Sequence, residues 1–202
     1  GKKLVFSGNL SKETLNRFSS FNIDVVDIMK IEEFAILNAI PTAEETIKII
    51  IENMKKMIHN TKCLIMGYGR IGKVLAKKLS GLSVNVTCLV SNDIEKTWCE
   101  VDGYSWIEFK NIKDNNIILK KYDIIINTIP RIILTHELSE VQKDTLVIDI
   151  ASKPYGIDRK VVKKEKLNFI EALGLPGKSA PITVAENMKK IIDNVLSEKN
   201  VN

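Results

Sequence analysis

The stretch CLIMGYGRIGKVLAKKL, residues 63 to 79, constrains the fold more than any other part of the chain. An apolar run ends in Gly-x-Gly-x-x-Gly, and residues with helical spacing follow at once. A lone motif of this kind marks only a tight turn. With a strand before it and a helix after it, it becomes the turn of a βαβ unit that receives a dinucleotide. Gly67 allows the sharp turn, Gly69 lets the backbone approach a pyrophosphate, and Gly72 lets the helix pack close to the strand. The N–H groups at the helix start and the helix dipole favour the anion. Gly67, Tyr68, Gly69, Arg70, Ile71 and Gly72 are therefore candidate cofactor-binding residues.

Downstream, the chain alternates. Apolar runs predict strands at 62–66, 84–90, 104–109, 123–127, 145–150 and 167–170. Helices are expected at 71–80, 93–99, 113–120, 136–140 and 157–164. "DIIIN" and "LVIDI" are nearly all apolar, as strands covered on both faces should be. Such alternation predicts a parallel sheet with right-handed crossovers. Upstream, "KLVF" (3–6) and "IDVV" (23–26) flank helical spacing at 11–18, a thin βαβ fragment. Pro41 predicts a break and Thr42 an N-cap. Ile47, Ile50, Ile51, Met54 and Ile58 predict a helix over 43–58. The expected fold class is α/β, a Rossmann-type doubly wound parallel sheet preceded by part of a smaller α/β domain. The expected division is an N-terminal segment and linking helix over 1–58, a dinucleotide-binding domain over 59–180, and a C-terminal helix over 181–202 that packs back.

Ligands of open α/β sheets bind at the carboxyl ends of the strands. The usual NAD signal is an acid about 20 residues after the glycine loop. That region reads Thr87-Cys88-Leu89-Val90-Ser91-Asn92-Asp93, with no acid at the strand end. Ser91 and Asn92 are suited to a 2′-phosphate, with Lys96 in reach, which points to NADP with NAD as the alternative. They are equally suited to capping a helix that begins near Asp93. Three further strand ends carry candidates. "NTIPR" places Asn127, Thr128, Ile129 and Pro130 near the ring end of a dinucleotide, followed by Arg131. "DIASKP" offers Asp149 and Lys153. "ALGLPGKSAP" offers Gly177, Lys178 and Ser179 on a shaped loop expected to lack regular structure.

Composition excludes several classes. Of 202 residues, 45% are hydrophobic and 27% charged, which suits a globular chain with a real core. No apolar run approaches the roughly 20 residues of a membrane helix, and no secretory signal opens the chain. The net charge of +5 is lysine spread over helix faces, with only 6% aromatic residues and none interleaved with the basic runs, so nucleic acid is not an expected partner. Cys63, Cys88 and Cys99 lack metal-site spacing and read as buried reduced thiols. The two histidines, His59 and His136, have no metal-ligand partners at useful spacing.

Seven stretches, in this order, resemble the A-subunit family of bacterial dipicolinate synthases: "FSG" (6–8), "NAIPTAEE" (38–45), "IHNTKC" (58–63), "GYGRIG" (67–72), "INTIP" (126–130), "DIASKP" (149–154) and "GLPGKSAP" (174–181). The resemblance implies a cytoplasmic enzyme of the sporulating mother cell that oxidises dihydrodipicolinate to dipicolinate with reduction of NADP. It implies a flavoprotein-like second component, the B subunit of dipicolinate synthase, as partner. It also implies a coenzyme domain similar to that of 2-hydroxyacid dehydrogenases. Family members carry a further small N-terminal α/β stretch, and this chain, starting at Gly1, is expected to begin inside it. Some relatives carry arginines where this chain has Ser91-Asn92, which keeps NAD open as the coenzyme.

A small dicarboxylate substrate requires facing cations. Arg70, Arg131, Lys153 and Lys178 are the candidates, with Asn38 and Thr42 entering from the first segment. His136 is the candidate catalytic base, whereas His59 precedes the first strand, on the opposite edge of the sheet. A homo-oligomer is expected. Two other functions fit the residues: a non-catalytic NAD(P)-binding regulatory subunit, and a 2-hydroxyacid dehydrogenase-like oxidoreductase. The absence of histidine from "GLPGKSAP" counts against the second of these.

Overall fold

The computed structural model describes residues 3–113 and 119–199. The chain forms two compact units. One comprises the residues up to Pro41 together with those from Pro176 onward, and the other runs from Thr42 to Leu175.

In the first unit β1 (Lys3–Ser7) and β2 (Ile23–Asp27) pair in parallel around α1 (Lys12–Ser20). Ser11 caps α1 by accepting from the Thr14 amide at 3.1 Å. A 3-10 turn, Ile28–Lys30, leads into α2 (Glu32–Asn53). The core of this unit joins distant parts of the sequence: Ile28 and Phe34 pack with Ile191 of the C-terminal helix.

α2 corrects one expectation. Pro41 lies inside the helix and does not end it, so Thr42 is an interior residue and not an N-cap. Proline in a helix interior costs about 3 kcal/mol through a lost backbone bond and a ring clash. Packing on both sides outweighs that cost: Phe34 is buried before the proline, and Ala43 and Ile50 are buried after it. The side chain of Thr46 also donates to the Thr42 carbonyl at 2.7 Å. Residues 42–53, grouped by the sequence with the N-terminal segment, belong to the second unit because Ala43, Ile47 and Ile50 join its core.

The second unit is a six-stranded parallel sheet. Its strands are β3 (Lys62–Met66), β4 (Asn85–Val90), β5 (Ser105–Glu108), β6 (Ile124–Asn127), β7 (Leu146–Asp149) and β8 (Asn168–Glu171). They lie in the order β5-β4-β3-β6-β7-β8, so the direction of winding reverses between β3 and β6. Side chains alternate between two cores, as a sheet covered on both faces requires. Cys63, Ile65, Ile124, Ile126, Leu146 and Ile148 face one, whereas Leu64, Met66, Ile125 and Val147 face the other. The first core is closed by α2, α3 (Arg70–Gly81) and α4 (Asp93–Val101), and the second by the 3-10 turn His136–Glu140 and α6 (Arg159–Glu165), with α5 (Lys110–Lys113) at its rim. This is the doubly wound, Rossmann-type α/β fold expected from the sequence. All three cysteines are free and buried.

The helix expected at 113–120 falls largely outside the described residues. What flanks it is α5 and a 3-10 turn, Leu119–Lys121. "GLPGKSAP" is not irregular as expected. Leu175–Ser179 forms a short helix, α7, and Pro181 sits in the first turn of α8 (Pro181–Glu198). Proline there lacks only an N–H that no helix of this geometry would have bonded.

Candidate dinucleotide site

The site follows from register. Met66 of β3 lies level with Leu89 of β4 and Asn127 of β6, and Asn127 lies level with Asp149 of β7. The loops after these strands therefore share one edge, and the glycine loop and "NTIPR" face each other where the winding reverses. Sheets of this kind bind ligands at that crevice.

The three glycines of the loop have distinct constraints. Gly67 has φ +99°, and a Cβ there would lie 2.6 Å from Thr128 Oγ1. A Cβ at Gly72 would lie 2.1 Å from the Gly67 carbonyl oxygen, so only glycine lets the helix close on the strand. At Gly69 a Cβ would meet nothing within 4 Å. That open side faces a cleft of about 380 Å³ lined by Gly67, Gly69, Ser91, Glu95 and Thr128–Arg131. Open space at a glycine is not by itself a sign of a ligand, since Gly103 and Gly174 share it; at Gly69 it coincides with the cleft and with the N-terminus of α3. The loop fits the pyrophosphate of a dinucleotide.

Several predicted residues act differently from expectation. Tyr68 is 1% exposed, and its ring points into the core, where its hydroxyl donates to Asp102 at 2.5 Å and it meets Tyr104 edge-on. Burial, followed by that hydrogen bond, raises its pKa well above the usual tyrosine value. Only its backbone remains for a cofactor. Arg70 stands exposed at the start of α3, and Ile71 packs against the core. Asn127 is fully buried. Its Nδ2 donates to Asp149 Oδ1 at 2.8 Å and to the Ile129 carbonyl at 3.0 Å, and its Oδ1 accepts from the Ile129 amide. It shapes the loop and does not line the cleft. Thr128 does line the cleft, but its hydroxyl donates to the Met66 carbonyl at 2.8 Å. Ile129 and Pro130 give the cleft its apolar wall.

Ser91 and Asn92 cap α4, the blander of their two readings. Asn92 Oδ1 accepts from the Glu95 amide at 2.9 Å. The Glu95 carboxylate reaches back to the Ser91 amide at 2.7 Å and the Ser91 hydroxyl at 3.0 Å. Asn92 thus makes the N-cap half of a capping box, legible in the spacing Asn-x-x-Glu, while the Glu95 carboxylate bonds Ser91, one residue before the cap. This bonding brings into the cleft a carboxylate that the strand end lacks.

Arg131 lies in the same cleft with its guanidinium 4.8 Å from the centre of the Phe109 ring. Phe109 follows β5 and lines an adjoining pocket of about 410 Å³ with Ser91, Asn92, Lys96, Glu108 and Lys110. Ser91 is shared by both cavities, which together extend along the ends of β6, β3, β4 and β5. Glu108, Phe109 and Lys110 belong to no motif, although the strand-end rule that singles out the other loops applies equally to β5.

His136 is exposed and does not line the cleft. Its Nδ1 lies 3.2 Å from Thr135 Oγ1. The role of general base therefore has no support in this geometry. Lys153 is exposed in the loop after β7, at the same edge as Gly67, where Asp149 accepts from the amides of Ala151 and Gly156. Thr42 and Asn38 sit four residues apart on α2. Gly177, Lys178 and Ser179 lie on α7, in the first unit with Asn38. His59 is exposed just before β3, at the opposite edge of the sheet. Among the described residues no cluster of acids, histidines and cysteines could hold a metal ion, and no helix is long and apolar enough to cross a membrane.

Residues 48–172 match the family described as Shikimate / quinate 5-dehydrogenase. Over 196 residues, 96% of this chain and 65% of the relative, the sequence is 30% identical to the A subunit of dipicolinate synthase from Bacillus subtilis. The crystal structure of dipicolinate synthase, A chain, from that organism matches with a TM-score of 0.90. The crystal structure of the corresponding A subunit from Bacillus halodurans matches with a TM-score of 0.88 and 29% identity, over 96% of this chain and 66% of that one. A shikimate dehydrogenase (NADP(+)) of Clostridium botulinum is 32% identical over 117 residues, 55% of this chain and 43% of the relative. The chain thus spans about two thirds of the length of the dipicolinate synthase relatives it matches.

Proposed function

The chain belongs to the shikimate / quinate 5-dehydrogenase family, and from that premise we propose that it is the A subunit of a dipicolinate synthase, oxidising dihydrodipicolinate to dipicolinate with NADP. Similarity to the Bacillus subtilis A subunit along 96% of the chain supports the substrate. The observation that carries the reading is the open side of Gly69, facing the cleft between the glycine loop and Thr128–Arg131 where the sheet reverses. A nicotinamide dinucleotide fits that cleft, and the pocket beyond Ser91 holds Lys96 and Lys110, two cations suited to the 2′-phosphate of NADP, together with the carboxylate of Glu108.

A bound nicotinamide ring would accept the hydride. This chain's own residues bind and orient. The backbone of residues 67–72 would hold the pyrophosphate, and Ile129 and Pro130, on the apolar wall of the cleft, would shield the ring from water. The two substrate carboxylates need cations, and we assign Lys153 and Arg70, both in the second unit, to them. Arg131, stacked on Phe109, serves the dinucleotide instead. The hydride leaves the dihydropyridine ring and the accompanying proton passes to solvent, with aromatisation favouring the product. The same reading gives the B subunit of dipicolinate synthase as partner, a homo-oligomeric state, and the cytoplasm of a sporulating mother cell as location.

One observation favours a second reading. Of the described residues that line the cleft, only Glu95 and Arg131 carry ionisable side chains, and Glu95 is engaged by Ser91. A nucleotide-binding regulatory protein needs no more than this. Turnover separates the two. Dihydrodipicolinate, NADP and the B subunit should give NADPH with this chain and none without it. Lys153→Met should raise KM for the substrate and leave the NADP Kd unchanged. NADP binding without turnover in any combination would favour the regulatory reading.

A further inference from the structure

Glu108 ends β5 directly beside Val90, the last residue of β4. The acid that NAD-binding sheets carry at the end of the second strand is absent from β4, where Ser91 follows. An acid stands instead one strand over, at the same level. It does not stand alone. Glu108 Oε2 is hydrogen-bonded to Lys110 Nζ, and Oε1 lies 3.8 Å from Lys96 Nζ. Lys96 is further held over the Trp106 ring, 4.3 Å from its centre. The hydrogen bond from Lys110 and the charges of both lysines keep the Glu108 carboxyl below the usual glutamate pKa, so it is ionised at neutral pH. All three side chains line the pocket of about 410 Å³ that Ser91 shares with the dinucleotide cleft.

We propose that Glu108 sets this chain's choice between the two dinucleotides: its carboxylate occupies the lysine pair that a 2′-phosphate would take, and so holds the preference for NADP down. This rests on reading the adjoining cleft as the dinucleotide site. A phosphate monoester carries nearly two negative charges, and the two lysines cannot pair fully with it and with Glu108 at once. The bare ribose of NAD meets no such conflict. Its hydroxyls donate to a carboxylate, the interaction that acid makes in NAD-selective sheets. Repulsion of the phosphate and attraction of the ribose act in the same direction. Ser91 and Asn92, committed to the cap of α4, have little part in the choice.

The test is calorimetric titration of the whole chain with NADP and with NAD, for the parent, Glu108→Gln and Lys110→Met. Glu108→Gln keeps the shape, removes the charge and releases both lysines, so it should raise the NADP-to-NAD affinity ratio about tenfold, chiefly by tightening NADP. Lys110→Met should lower the same ratio, because it removes a phosphate partner and leaves Glu108 less neutralised. The exposed end of Lys110 makes this variant safe for folding should Glu108→Gln fail to fold. A ratio that stays constant in both variants, or moves the opposite way, overturns the assignment while leaving the dinucleotide site standing. Failure of the parent and both variants to bind either nucleotide overturns the site itself, and the role of Glu108 with it.

Discussion

Asn127 and Asp149 are joined across the ends of β6 and β7 by a 2.8 Å hydrogen bond, and neither residue has any exposed surface. Asp149 also accepts from the backbone amides of Ala151 and Gly156, so one carboxylate organises two of the loops at the functional edge. Asp149→Ala leaves three buried donors without their acceptor and should cost about 3 kcal/mol. Gly156→Ala places a Cβ 2.1 Å from Asn127 Nδ2 and should cost about 2 kcal/mol. Denaturant unfolding of both variants measures these losses.

The glycine loop offers a test that separates a binding site from a turn. Gly69→Ala adds a methyl group into open space, so the melting temperature should stay within a degree or two of the parent. Dinucleotide affinity should nonetheless fall at least tenfold, because the methyl group stands where the pyrophosphate approaches. Gly72→Ala collides with the Gly67 carbonyl and should lower stability and binding together. Equal dinucleotide affinity in Gly69→Ala and the parent would show the loop to be a turn only.

Tyr68 should prove structural although it lies inside the motif. Tyr68→Phe removes the hydrogen bond to Asp102 and should cost about 1 kcal/mol. Its dinucleotide Kd should match the parent's, since the ring faces the core.

Asp123 gives the second unit a pH-dependent tie. Burial pushes its pKa up, but hydrogen bonds from the Lys56 side chain and the Lys62 amide outweigh burial and leave it below the ordinary aspartate value. A depressed folded-state pKa adds stability above the unfolded pKa, and that stability is lost as pH falls through the folded one. Asp123→Asn should therefore be less stable than the parent at pH 7. The gap should close progressively below about pH 4, the ordinary aspartate pKa. Urea unfolding at a series of pH values checks the sign.

The succession of strands and the doubly wound class are legible in the sequence because apolar runs and glycines report backbone requirements directly. "DIIIN" and "LVIDI" could hardly be anything but strands covered on both faces, and they form β6 and β7. Pro41 misleads because the cost of proline is local, whereas the burial of Phe34, Ala43 and Ile50 that offsets it comes from residues far along the chain. Asn127 ends β6 and Tyr68 lies in the glycine turn, but both side chains turn inward. Spacing reveals that a residue stands at a strand end, but not whether its side chain turns inward. Glu108 escapes a reading by motif because its significance arises only when the register sets it beside Val90.

The first unit draws on both ends of the described chain: Ile28 and Phe34 close on Ile191, and Glu33 pairs with Lys190 at 2.9 Å. The second unit is continuous from Thr42 to Leu175. During synthesis the two therefore mature in the reverse of their chain order. The six-stranded sheet has all its strands once Glu171 has left the ribosome, while Ile28 and Phe34, made long before, still lack Ile191. Until α8 arrives that contact is unmade, so the first unit completes its core only after the sheet of the second can form.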